Sequence, residues 1–144
     1  MLVELTPKEV GDRWSTHIRE AIRLSLMPST VSDNERLLNV LKSIVSGRLK
    51  CWEIVSDENE VFGIVTTTMS YDECDGTFSL LIYTVYAFKE LTKSLVKDGM
   101  VTLIKHARKE HCSEISVYTQ VESVRDLIKM YGGETNTYYV TLDV

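Results

Sequence analysis

Only two prolines and three cysteines occur in 144 residues, so neither a linker nor a disulfide framework can be read from the chain. Cys51, Cys74 and Cys112 are odd in number and far apart, and free thiols in a reducing compartment are expected. No apolar run approaches the roughly 20 residues of a membrane span. The opening MLVELTPKEV has neither a basic leader nor an apolar signal region, so a cytoplasmic rather than a secreted protein is expected. Positive charge is also in short supply. Lys and Arg number 16 against 21 Asp and Glu, a net charge of −5, which argues against broad nucleic-acid binding. His17, His106 and His111 show no metal-ligand spacing and read as surface or boundary residues.

What is present is the content of an ordinary globular domain, 44% hydrophobic and 26% charged, read as one domain over residues 1–144. The stretch from Thr77 to Gln120 organises it: a hydrophobic strand centred on Phe78–Tyr86, a long amphipathic helix, and a strand at Ile115–Thr119. Such a unit normally links parallel neighbours. Ahead of it, Leu2–Leu5 suits a short strand. Thr6, Pro7 and Glu9 form a helix start of capping-box type, and Val10, Trp14, Ile18 and Ile22 make one buried stripe, with an end near Met27-Pro28. Ser32 and Glu35 open a second helix that Gly47 stops. Cys51–Val55 and Val61–Ser70 read as strands joined by the polar turn Ser56–Glu60, and a second polar turn spans Tyr71–Gly76. After the central unit come a helix at Val121–Tyr131, a stop at Gly132-Gly133, and an alternating strand at Thr135–Val144. The order β-α-α-β-β-β-α-β-α-β predicts an α/β fold with a mixed, mostly antiparallel sheet and helices on both faces.

That order resembles the GNAT superfamily, the Gcn5-related N-acetyltransferases, over nearly the whole chain. Trp52 followed by Val61-Phe62-Gly63-Ile64-Val65 resembles the family's second and third strands. His106–Cys112 resembles the "WARERGC" ending of its central helix, and Leu127–Gly133 its "LYEKLGF". Leu80–Tyr83 and Gly132-Gly133 are similar to short GNAT-like proteins of tailed bacteriophages. The resemblance implies an acyl-CoA site where the fourth and fifth strands part, with the pyrophosphate on amides that open the central helix. The family pattern Arg/Gln-x-x-Gly-x-Gly/Ala falls here on Leu91, Ser94 and Val96, and no glycine occurs from Ala87 to Asp98. The family's asparagine after the fifth strand maps to Val121, and its tyrosine acid to Ile128; Tyr131 is expected to point elsewhere.

Three functions follow. The erased phosphate loop on an intact scaffold puts first a non-catalytic domain that acts by protein contact: a phage virion or accessory protein in virion or host cytoplasm, with no cofactor, and with other chains or a second copy as partner. The second is an acetyl-CoA-dependent N-acetyltransferase with an atypical loop. In it Glu53 or Tyr83 serves as base or acid, and Tyr86, Thr92, Lys93 and Ser94 contact the cofactor. The third is a ligand or peptide sensor that uses the same cleft. Lys89, Lys93 and Lys97 otherwise read as a solvated helix face, and Asp72, Glu73 and Asp75 as a hairpin tip. Tyr138 and Tyr139 read as ordinary strand aromatics.

Overall fold

One sheet carries five strands in sequential order: β1 (Leu2–Leu5), β2 (Lys50–Val55), β3 (Val61–Asp72), β4 (Thr77–Ala87) and β5 (Cys112–Val117). The computed structural model describes every residue except Gln120 and Asn136. β1 to β4 pair antiparallel, and β4 pairs parallel with β5 across helix α4 (Lys93–Lys109). This is the mixed sheet that the sequence predicts, built around the predicted strand–helix–strand unit.

The first helical stretch is in three parts: α1 (Pro7–Arg13), a π-helical turn (Trp14–Ile18) and α2 (Arg19–Ser25). The capping box is formed. Thr6 Oγ1 accepts from the Glu9 amide, and Glu9 accepts from the Thr6 amide, which holds the Glu9 carboxyl below its ordinary range. The π turn explains how residues spaced by four keep one buried stripe. In an α-helix each four-residue step runs roughly 40° ahead of a full turn. The wider i→i+5 turn takes back part of that lead. Val10, Ile18 and Ile22 are accordingly all buried.

Helix α3 (Asp33–Val45), capped by Ser32, lies with α1 and α2 on one face of the sheet. Leu37, Val40 and Ile44 pack there with Cys51 and Ile64. Burial pushes the Cys51 thiol up to about 12, so it stays protonated and inert. Helix α4 covers the other face, where Leu103 and Ala107 meet Trp52, Val65, Leu80 and Ile82. Three successive threonines on β3 each find a different partner. Thr66 bonds Thr84 at 2.5 Å, Thr67 accepts from Trp52 Nε1 at 2.9 Å, and Thr68 donates to the Arg48 carbonyl at 2.8 Å.

Two expectations change. α4 begins only at Lys93, so Lys89 is not on a helix face; it pairs with Glu60 and lies over the Phe62 ring. After α5 (Glu122–Met130) the predicted last strand does not form: residues 137–144 make no ladder, and Asn136 lies outside the described residues. Tyr138 and Leu142 are 85% and 88% exposed, although Tyr139 stacks on Tyr118 at 5.0 Å. Alternation alone cannot make a strand without a neighbour to pair with.

His111, just past α4, has φ 58°, a left-handed conformation that a Cβ disfavours. His111→Gly is therefore expected to raise stability by about 0.5–1 kcal/mol, read as a higher urea midpoint with an unchanged m-value.

Candidate functional site

β4 and β5 pair from Phe78–Cys112 only as far as Ile82–Val117. β5 stops there, while β4 runs on to Ala87. Alternate backbone groups of residues 83–87 therefore face a gap rather than a fifth-strand partner. A β-bulge marks the place where the strands part. Thr66 pairs with Thr84 and Thr67 with Ile82, which leaves Tyr83 as the extra residue. At the far end of this segment β3 approaches closely. A Cβ built on Gly63 would stand 2.6 Å from the Tyr86 carbonyl oxygen and 3.2 Å from Ala87 Cα. The glycine is there because no side chain fits.

The gap leads to the start of α4. Thr92 caps it: its hydroxyl accepts from the Leu95 amide at 3.2 Å and its carbonyl from the Val96 amide at 3.1 Å. Of the four amides that open the helix, those of Lys93 and Ser94 have no partner among the described residues. The first turn holds no acid. It is thus an anion-binding geometry without glycine, electropositive from the helix dipole and Lys93. The Thr92 hydroxyl, a sequence candidate for ligand contact, is already used as the cap.

On the sheet face covered by α1 to α3, reaching the end of β4 only through Phe88, lies a cluster that the sequence indicates only in part. Glu53 is 3% exposed, and both carboxylate oxygens are engaged. One accepts from Arg13, the other meets His17 Nε2 at 2.6 Å. His17 lies edge-on to Phe88 with centroids 6.1 Å apart, and Phe88 lies against Tyr86 at 5.6 Å. His17 is therefore tied to the sheet, not a free surface residue. Its signal was the four-residue spacing from Arg13, which puts both side chains on one helix face toward a lone carboxylate in an apolar strand.

Tyr83 reaches a cleft of about 260 Å³ between α3, the end of α2 and the sheet. Leu26, Val40 and Leu49 give it apolar walls. Arg36, Asn39, Ser43, Thr68 and Tyr83 give it polar groups. Glu53 does not line this cleft. Of the two proposed proton carriers, then, the structure sets Tyr83 at an open surface and Glu53 in a closed ion-pair cluster. A second cleft, about 290 Å³, lies between α4, β5 and α5. Ile128 and Tyr131 both line it, so the tyrosine does not point away from Ile128 as expected; three residues apart on a helix, the two share a face. Cys112 also lines it, its thiol raised by burial and by Glu110. The acidic hairpin at Asp72–Asp75 is closed by its own bonds, Asp75 N–H to Asp72 Oδ1 and Gly76 N–H to the Asp72 carbonyl. No metal-ligating cluster occurs among the described residues.

No family model and no curated protein matches the sequence. Solved structures do match. A probable acetyltransferase is 18% identical, with 100% of this chain and 97% of that one covered and a TM-score of 0.71. A predicted acetyltransferase with acetyl-CoA, from Clostridium acetobutylicum, is 16% identical over 99% of this chain and 95% of that one, with a TM-score of 0.69. An aminoglycoside N-acetyltransferase in complex with CoA is 12% identical over 100% of this chain and 93% of that one, with a TM-score of 0.70. The chain has the GNAT fold. Within that fold the parting of β4 and β5 is where the resemblance puts acyl-CoA. At such identity the likeness concerns architecture and carries no residue roles.

Proposed function

We propose that this protein is an acyl-CoA-dependent N-acyltransferase. The observation that supports it most is the five-residue run Tyr83–Ala87 of β4, unpaired by β5 and leading to the open Lys93 and Ser94 amides. Free amides at a helix start, the main physical component of a phosphate cradle, are available here without glycine. Neighbours of the same fold bearing acetyl-CoA or CoA favour this reading over a non-catalytic one. No comparison supports a phage, virion or protein-contact role.

In this reading the β4 edge holds the extended part of the cofactor through backbone groups, and the α4 start faces its diphosphate. The bound group supplies an activated thioester. Tyr83, at the bulge, faces the cleft from which an amine acceptor approaches, and its hydroxyl is the candidate for moving a proton there. Glu53 holds Arg13 and His17, and through His17 and Phe88 it steadies the end of β4.

The test is release of CoA thiol from acetyl-CoA in the presence of a panel of primary amines. Amine-dependent release is expected, and Ser94→Glu, which sets a carboxylate beside the open amides, should cut acetyl-CoA affinity by about tenfold or more. Absence of amine-dependent release across the panel, with wild-type protein shown to be folded, would count against catalysis.

A further inference from the structure

We infer that the cleft at Tyr83 takes an amine that carries an anionic group, a carboxylate or a phosphate, and that Arg36 selects it. This rests on the acyltransferase reading for the amine and on the cleft itself for the anion. The protein as a whole is acidic, with net charge −5, yet no carboxylate among the described residues lines this cleft. Its single charged group is Arg36. The guanidinium is half-buried and anchored: Nη2 donates to the Met27 carbonyl at 2.6 Å. It makes no ion pair among the described residues. Its remaining N–H groups are left for a ligand, in a fork that suits two oxygens of one anion. Asn39, Ser43, Thr68 and Tyr83 surround it with neutral polar groups, though the Thr68 hydroxyl is already donated to Arg48.

The same charge has a second consequence. A polycationic acceptor needs carboxylates to hold its several ammonium groups, and here it would meet an uncompensated arginine instead. An amine with its own anion arrives without net repulsion. Close to the guanidinium, its ammonium also loses its proton more readily, and only the neutral amine is a nucleophile. Two matched folds are named as aminoglycoside acetyltransferases, and aminoglycosides are polycations. This cleft is built for the opposite charge type.

Matched pairs test the inference on the free protein, before any cofactor is added. O-phosphoethanolamine is compared with ethanolamine, L-leucine with L-leucinamide, and an aminoglycoside is titrated alongside. Two-dimensional NMR follows the Arg36 side-chain N–H and the amides of Thr68 and Tyr83. The anionic member of at least one pair is expected to bind about tenfold or more tighter than its partner, and the pair showing it tells phosphate from carboxylate. Arg36→Gln should abolish that preference, Arg36→Lys should keep part of it, and Lys42→Gln, on the same helix but outside the cleft, should leave it unchanged. Melting curves check that each variant is folded. Equal or tighter binding of the partners that lack the anion, or of the aminoglycoside, overturns the inference. So does a preference that survives Arg36→Gln, and so does a titration in which no compound shifts those signals. Adding acetyl-CoA then separates the two claims. Anion preference without cofactor binding removes the acyltransferase reading alone. Acetylation confined to cationic amines removes the Arg36 inference alone.

Discussion

Gly63→Ala is expected to be strongly destabilising for the addition of a single methyl. The new Cβ would meet the Tyr86 carbonyl oxygen at 2.6 Å and Ala87 Cα at 3.2 Å, both main chain, with the Ile54 side chain at 3.0 Å. Flexible side chains can move aside, but two paired strands cannot part without losing their ladder. Overpacking of this kind costs about 1–3 kcal/mol, a fall in melting temperature of roughly 3–12 °C for a domain of this size. The displaced segment is also the one whose free edge faces the gap, so acetyl-CoA affinity should fall with stability. Gly11→Ala is the matched control. It lies inside α1 with no heavy atom within 4 Å of its Cβ, and should be neutral or stabilising by up to about 1 kcal/mol. Chemical denaturation of the pair decides the matter; equal midpoints would mean that β3 and β4 are not in close contact at Gly63.

The second large effect is expected at Glu53. Glu53→Ala removes the carboxylate that Arg13 and His17 share at the sheet, and leaves the half-buried imidazole beside a hole. Breaking a buried pair costs about 3–5 kcal/mol. The Arg13 side chain is 41% exposed and can turn to water or to Glu9, so a loss of about 2–3 kcal/mol is the better expectation. Glu53→Gln keeps the shape but forces an amide N–H toward one donor, and should cost about 1–2 kcal/mol. A double-mutant cycle with Arg13→Gln isolates the coupling. Glu53→Ala at wild-type stability would show the cluster to be dispensable. If Glu53 acted as the base, Glu53→Gln would remove turnover while leaving acetyl-CoA affinity intact. With both oxygens occupied, the expected pattern is the reverse: affinity falls with stability and turnover of the bound state is largely kept.

Much of this was legible in the residues. The capping box at Thr6 and the side-chain cap at Ser32, where only half of the expected box forms, fixed where helices start, and Gly47 at φ 84° is the helix stop that its sequence position indicates. Strand alternation and the polar turn at Ser56–Glu60 fixed the hairpin. Longer-range features were not legible. The π turn is one extra residue's worth of winding that a four-residue stripe hides. The Glu53 cluster joins residues 36 and 40 positions apart. Tyr83 was a candidate from the sequence, but its place at a bulge was not, because that depends on how β3 and β4 pair. Absence of glycine from Ala87 to Asp98 suggested a lost phosphate site, because motif matching counts residue types. Backbone amides are present whatever the side chain, and what matters is that those of Lys93 and Ser94 are free. The tail misled in the opposite sense, since alternation from Thr135 onward reads as a strand but pairs with nothing among the described residues.

In the proposed function, the gap between β4 and β5, with the start of α4, holds acyl-CoA. Titration of isotope-labelled protein with acetyl-CoA tests it directly, with the amides of Tyr83–Ala87, Lys93 and Ser94 followed by NMR and ADP and desulfo-CoA as controls. Binding in the micromolar range is expected, with shifts concentrated on those seven amides and the Lys93 and Ser94 shifts reproduced in part by ADP. No shift at millimolar acetyl-CoA, or shifts confined to the cleft between α4 and α5, would contradict it.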